Sequence, residues 1–372
     1  MIRKMLVCVG ILCALHAQAQ GVTDGAIVFG QSAPLSGAAA QLGVDFNFGV
    51  NLHFYEVNRS GGIHGRKLEL KILDDRYEPE RTTANTQRLI NDEKVFGLVG
   101  YVGSAATQAT LPMITQSSIP FIGAFSGAED LRSPFNPNVF NIRASYMDEA
   151  EAIVRHLNTL GFKRIAVFHE NDANGRLALQ GVERALKARG LTLVGNGSVE
   201  RNGIDVAQAV KDITATQPQA VVMIAAYGGT VAFIREMQKL PSPPWLWNLS
   251  FVGSQVLARE LEERGRGIQV SQVVPFPWSP NSTVMRAYSK VLAEVKAEPG
   301  FGSLEGYLAA KVIAEGLRRA GPNLTRAAFV KALETMQPYD MGGYSVKFTP
   351  SNHNGSTYVD LTMITADQKF VR

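Results

Sequence analysis

Apolar residues recur along this chain in two spacings that take turns, and the alternation predicts strands interleaved with helices. The first apolar run, Ala26-Ile27-Val28-Phe29, leads into a glycine-bearing loop, Pro34-Leu35-Ser36-Gly37. Phe46, Val50, Phe54 and Val57 follow at three- and four-residue intervals, the mark of one helix face, until Gly61-Gly62 stops the pattern. Leu68, Leu70 and Ile72 alternate as in a strand that ends at Asp74-Asp75, and Pro79 suits the first turn of the next helix. Val95 to Val99 and Ile119 to Ile122 read as buried strands. Each runs into a loop of small residues, Gly103-Ser104-Ala105-Ala106-Thr107 and Gly123-Ala124-Phe125-Ser126-Gly127.

A second series starts near Tyr146 and looks like another copy of the same architecture. It predicts a helix to Leu160, a strand Arg164 to Phe168, a helix Gly175 to Arg189 and a strand Leu191 to Val194. A strand Ala220 to Ala225, a helix Thr230 to Leu240 and a short strand Trp245 to Trp247 continue it. Strands alternating with helices of this length imply parallel sheets covered on both faces, and right-handed crossovers then give two doubly wound α/β lobes. Two proline-rich breaks, Pro241 to Pro244 and Pro275 to Pro277, interrupt the later pattern, and either could be a crossing between lobes. Long helical segments follow from Thr283 to Lys296 and Ser303 to Ala320. The tail is β in character, with Tyr344, Val346 and Phe348 alternating before Tyr358 to Ile364.

The first twenty residues change the picture by giving a location. Arg3 and Lys4 precede an apolar run over residues 5 to 15, and Ala17-Gln18-Ala19 is a small-x-small cleavage site, so residues 1–19 read as a signal peptide and the protein as exported. Eleven apolar residues fall short of the roughly 20 that span a bilayer. Cys8 and Cys13 raise lipid attachment as the rival, but Leu12 is not the small residue that such processing prefers. Cleavage after Ala19 removes both cysteines, leaving no thiol and no disulfide, and takes the formal charge from +4 to +2. About 350 residues remain, too many for one ordinary core and suited to two lobes. The charges are mixed along the chain, with no basic track for nucleic acid.

Candidate chemistry lies in loops rather than in motifs. There is no G-x-S-x-G, no G-x-x-x-x-G-K-[ST], no H-E-x-x-H and no G-x-G-x-x-G, and the six histidines are scattered, so neither catalysis, nor a metal, nor a nucleotide cofactor is expected. Asp74-Asp75 could hold a cation, but a carboxylate pair at a strand end more often caps a helix or pairs with a basic side chain. Open α/β sheets bind ligands at the carboxyl ends of their strands. Ser104 begins a helical stretch there, where a hydroxyl and free N–H groups suit a carboxylate, and Ser126 stands in the comparable next loop. Against that, both serines could simply cap helices. Tyr146, Asn174 and Tyr227 fall in loops of the second series and could close over a ligand, while Trp245, Trp247 and Phe251 could line the cleft or pack in the core.

These segments resemble the leucine/isoleucine/valine-binding protein family, the periplasmic solute-binding subunits of branched-chain amino-acid ABC transporters. Pro34-Leu35-Ser36-Gly37, Val57-Asn58 with Gly61-Gly62-Ile63-His64-Gly65, Asp74-Asp75 and Arg164-Ile165-Ala166-Val167 stand in the family's order from about Ile27 to the tail. The resemblance implies a type I periplasmic binding protein fold, two Rossmann-like lobes joined by three crossovers. The N-terminal lobe would comprise 22–143 with 275–348 and the C-terminal lobe 144–274 with 349–372. It makes Ser104 the carboxylate-binding serine, gives Ala124 and Ser126 the head group, and sets Tyr227 near the ligand from the second lobe; Gly103, next to Ser104, is a further ligand-binding candidate. The family's acid for the ligand ammonium is missing from Trp247-Asn248-Leu249-Ser250-Phe251-Val252-Gly253, and Leu42 and Asn174 replace frequent aromatics. An unpaired ammonium in a closed cleft costs several kcal/mol, on the order of a buried ion's desolvation.

The expected function is therefore capture of a small carboxylate-bearing ligand, a branched-chain or related amino acid, by a monomer that hands it to a membrane permease after hinge closure. A non-amino aliphatic or aromatic carboxylate is the rival ligand. A ligand-sensing subunit of a signalling receptor is the rival function, and a nucleotide-dependent enzyme is the least supported.

Overall fold

The computed structural model describes residues 19–372, so the expected leader apart from Ala19 lies outside the described residues. The first sheet is built from β1 (Ala26–Ala33), β2 (Lys67–Asp74), β3 (Gly97–Val99), β4 (Phe121–Ile122) and β5 (Val139–Phe140), interleaved with α1 (Ala40–Arg59), α2 (Pro79–Asn91) and α3 (Ser104–Ser117). Its strands run parallel in the order β2-β1-β3-β4-β5. The chain then builds a second sheet from α4 (Tyr146–Thr159), β6 (Ile165–Glu170), α5 (Ala173–Lys187), β7 (Gly195–Val199), α6 (Ala207–Ala215), β8 (Ala220–Ile224), α7 (Tyr227–Met237), β9 (Trp245–Asn248), α8 (Ser254–Leu261) and β10 (Gln269–Gln272). The order β7-β6-β8-β9-β10 repeats the first sheet strand for strand, so the second series is indeed a second copy.

After β10 come α9 (Thr283–Val295), α10 (Phe301–Ala320) and α11 (Arg326–Glu334), then the small hairpin β11 (Tyr339–Asp340) and β12 (Ser345–Val346). The tail ends in β13 (Asp360–Ile364) and β14 (Phe370–Val371). Here the all-parallel expectation needs correction: β13 pairs antiparallel with β10 and β14 antiparallel with β13, which makes the second sheet mixed. A returning tail reaches the open β10 edge without a crossover helix only by running antiparallel.

The proline at the first turn of α2 and the apolar stripe of α1 fall where the spacing predicts them. The strand expected at Leu191 to Val194 lies instead at Gly195–Val199. β7 pairs with β6 alone and is packed closely by α6: a Cβ on Gly197 would stand 2.7 Å from Ala209 Cα. Glycine allows that approach, which an apolar count cannot see. Helices α6, α8 and α11 and strand β10 are further elements that the spacing alone does not announce.

Helix α10 returns to the first half of the molecule and lies against α1, backbone to backbone. A Cβ on Gly49 would sit 1.8 Å from the Ser303 carbonyl oxygen, and one on Gly306 would sit 2.0 Å from that of Phe46. The crossing forces a residue without a side chain on each helix. Gly49→Ala should therefore lower unfolding stability by about 1 to 3 kcal/mol through overpacking; a urea midpoint equal to wild type would show that the helices separate freely.

Candidate functional site

Both sheets reverse their winding direction between the first and third strands of the set, β1 with β3 and β6 with β8, and at such a point the loops beyond the strand ends part to leave a crevice. The two crevices face each other. From the first sheet come Tyr77 beyond β2, Ser104 beyond β3 and Ser126 beyond β4. From the second come Glu170 at the end of β6, Asp172 and Gly175 at the start of α5, and Phe251 beyond β9. Tyr77, Ser104, Tyr146, Glu170, Asp172, Gly175, Ile224 and Phe251 line one pocket with a cavity volume of about 20 Å³. That is room for little more than a water, so its walls must part to admit a solute.

The hydroxyl end is built as follows. Gly103 is the N-cap of α3 with φ +90°, and no side chain caps that helix. Ser104 is its first residue and so does not cap it, contrary to the plainer reading. Its Oγ lies 2.7 Å from Ser126 Oγ, while Ser126 Oγ also accepts the Ala128 N–H at 3.2 Å. The Tyr146 phenol joins these two hydroxyls; burial raises its pKa, opposed by the Arg143 charge and by the two serines. Three hydroxyls and the uncapped N–H groups of α3 thus converge, an arrangement that stabilises an anion.

The opposite wall is acidic. Glu170 Oε1 accepts the Ala226 N–H at 3.1 Å, and Oε2 accepts the Tyr77 hydroxyl at 3.3 Å across the cleft. Burial pushes the Glu170 carboxyl up to about 7. Asp172 caps α5 through the Gly175 N–H and pairs with Arg201 at 3.1 Å. Trp247-Asn248-Leu249-Ser250-Phe251-Val252-Gly253 indeed holds no acid, yet the pocket does, because β6 delivers Glu170 from another part of the chain. The argument for a ligand without an ammonium group loses its premise here.

The remaining candidates separate. Gly103 packs under the Tyr77 ring, where a Cβ would stand 2.3 Å from Tyr77 Cε2. Ala124 is buried beside Phe125 and does not line the pocket. Tyr227 is half-buried, and its hydroxyl reaches the backbone of Gln41 on α1, outside the pocket. Asn174 lies in the first turn of α5, and its side chain lies outside what is described. Trp247 is fully buried against His156, and Trp245 is half exposed at the opposite strand end, leaving Phe251 as the one aromatic of the three at the site.

Sequence reasoning missed Tyr77 and Glu170. Glu170 ends a strand whose other residues are apolar or His169, a weak signal. The Asp74-Asp75 pair turns out to serve Tyr77: Asp75 accepts from the Tyr77 N–H at 2.9 Å, Ser32 at 2.8 Å and Thr82 at 3.1 Å, while Asp74 accepts from Leu35 and Ser36. These bonds fasten the two loops that border the crevice.

Comparison with known proteins identifies the family and the fold. The profile of the family described as "Periplasmic binding protein" matches residues 26–369. The chain is 25% identical to Leu/Ile/Val-binding protein homolog 7 of Brucella suis biovar 1 over 94% of this chain and 92% of that one. It superposes on the structure of a possible leucine/isoleucine/valine-binding protein from Rhodopirellula baltica with a TM-score of 0.90 at 31% identity, covering 94% and 97% of the two chains. A substrate-binding periplasmic protein from Ralstonia solanacearum gives 0.87 at 32% identity, covering 93% and 99%.

A pH test follows from Glu170. Its folded pKa lies above the ordinary 4.5, so its contribution to stability is lost as pH rises from about 4.5 through about 7. Glu170→Gln removes that loss, and the variant should gain on wild type between pH 5 and pH 8 in urea unfolding. An equal gap at the two pH values would mean that Glu170 ionises freely in the fold.

Proposed function

The chain belongs to the periplasmic binding protein family, and from that premise we propose that it is the solute-capturing subunit of an ABC importer, trapping a small carboxylate-bearing ligand between its lobes. The family binds solutes and is not a family of enzymes. Among the described residues no helix is long and apolar enough to cross a membrane. The partner on this reading is a membrane permease. We assign the protein to the periplasm on the leader at residues 1–19 and the family it belongs to.

The observation that carries the reading is the Ser104 and Ser126 hydroxyl pair beside the uncapped start of α3, facing the second lobe across the pocket. A ligand carboxylate there accepts from Ser104, Tyr146 and the α3 backbone. Glu170 is the group available to an ammonium: among the described residues no cation lies within hydrogen-bond reach of it, Arg201 acting only from further off, and an α-amino group would supply a closer countercharge. A branched-chain or related amino acid and a non-amino carboxylate both satisfy the hydroxyl end, and Glu170 is what tells them apart. Signalling instead of import would use the same capture step and would need a partner carrying the output.

Trapping requires two bodies and a hinge. The chain passes from the first sheet to the second after β5, returns after β10 and crosses again before β13, which supports lobes of 22–143 with 275–348 and of 144–274 with 349–372. Closure then depends on ligand contacts made with both lobes.

Calorimetry on ligand-stripped protein against the amino acids and a panel of aliphatic and aromatic carboxylates tests the reading. Ser104→Ala should weaken the best ligand by about 1.5 to 3 kcal/mol, the scale of a charge-assisted hydrogen bond. Unchanged affinity would take the serine pair out of the site, and binding confined to uncharged solutes would remove the carboxylate reading.

A further inference from the structure

The pocket has two flat walls that come from different lobes. Tyr77 stands on the loop between β2 and α2 with φ +65°, almost wholly buried, its backbone N–H held by Asp75 and its ring lying over Gly103. Phe251 comes from the turn after β9. The two rings lie roughly face to face, centroids 6.2 Å apart and planes 30° from parallel. Tyr146 meets Phe251 edge-on at 6.3 Å, and Phe125 backs it at 6.0 Å. Neither jaw is free to swing. Their separation is set by the angle between the lobes.

A planar ring stacked between two others needs about 7 Å from outer ring to outer ring, two contact distances of about 3.5 Å each. The present 6.2 Å between centroids is shorter than that, so the lobes must part to admit such a ring, a movement of the kind a hinge supplies. A branched or saturated side chain carries hydrogens or methyl groups on both faces and needs a wider opening still. Resting on the carboxylate reading above, we propose that Tyr77 and Phe251 form a slot for the planar ring of an aromatic carboxylate, with its carboxylate on Ser104, Ser126 and Tyr146. Tyr77 is then the specificity-determining residue of the first lobe. Asp75 is a positioning residue that acts through it.

Matched pairs that differ only in flatness test this by calorimetry: benzoate against cyclohexanecarboxylate, and phenylalanine against cyclohexylalanine, with leucine alongside. In whichever pair binds, the planar member should win by tenfold or more. Tyr77→Leu should bring that ratio to within about threefold of one, while Tyr77→Phe, which keeps the ring and drops the bond to Glu170, preserves it. Phe251→Leu should act like Tyr77→Leu, so the outcome does not hang on one variant's folding. Equal binding of flat and saturated partners, or leucine binding tighter than every planar acid, would overturn the slot. Binding of carboxylates without a planar preference thus counts against the slot alone, whereas no binding by any carboxylate removes the reading beneath it as well.

Discussion

A guanidinium shut off from water at the junction of the two lobes is the constraint on which the rest of the structure depends. Arg143, fully buried, ends the first passage between sheets and meets Glu149 of α4 at 3.1 Å and Glu305 of α10 at 3.3 Å. It also donates to the Ser250 hydroxyl. Glu149 in turn accepts from the Ser250 N–H at 2.8 Å and the Ser271 hydroxyl at 2.6 Å. Burying one such charge costs several kcal/mol unless partners surround it, so α4, α10, the turn after β9 and the start of the second passage must arrive together. One arginine faces two carboxylates, and burial pushes Glu305 up to about 7 while Arg143 pulls it down. The cluster ties both lobes to the segments between them, which is where a hinge has to be stiff if closure is to reproduce one geometry.

The same guanidinium lies over the Phe125 ring, 5.2 Å from its centroid. Phe125 stands between Ala124 and Ser126, so the loop whose serine backs Ser104 is braced from behind by the buried charge. Ser250 is bonded to Arg143 and precedes Phe251, the aromatic wall of the other lobe. Pocket and hinge therefore share consecutive residues in both lobes. Each pocket element is thus one residue along the chain from a group that touches the buried guanidinium.

How much of this the sequence made legible divides along a physical line. Parallel strands buried on both faces leave apolar runs, and amphipathic helices leave three- and four-residue spacings, so β1, α1, β2, α4, β6, α10 and the two-copy organisation could all be read. The strand at Gly195–Val199 could not, because there the fold uses two glycines to let α6 approach and the apolar signal sits four residues earlier. The site divides in the same way. Ser104 and Ser126 were legible because each follows its own strand in a small-residue loop. Glu170 and Tyr77 were not: each takes its meaning from a neighbour 93 positions away in the chain, through the hydrogen bond that joins them. The search for an acid stayed within one segment, Trp247 to Gly253, and a pocket closed from two sides does not require the charge to come from there.

Contacts of two kinds join the lobes, and on the proposed hinge closure their sizes decide what a ligand would have to do. Around the rim, Arg259 donates to Gln41 at 3.3 Å, the Tyr227 hydroxyl reaches the Gln41 backbone, and Leu42 packs against Gly253 so closely that a Cβ there would stand 2.4 Å from it. The Arg259 contact is exposed and polar, of a kind worth about 0 to 1 kcal/mol. Deeper in, the Tyr77 to Glu170 bond and the stacked rings are shielded from water and weigh more. Those deeper contacts hold the lobes together with nothing between them, so a ligand that enters has to replace them with contacts of its own to both lobes, and the difference in its affinity for the two states sets how far the balance moves.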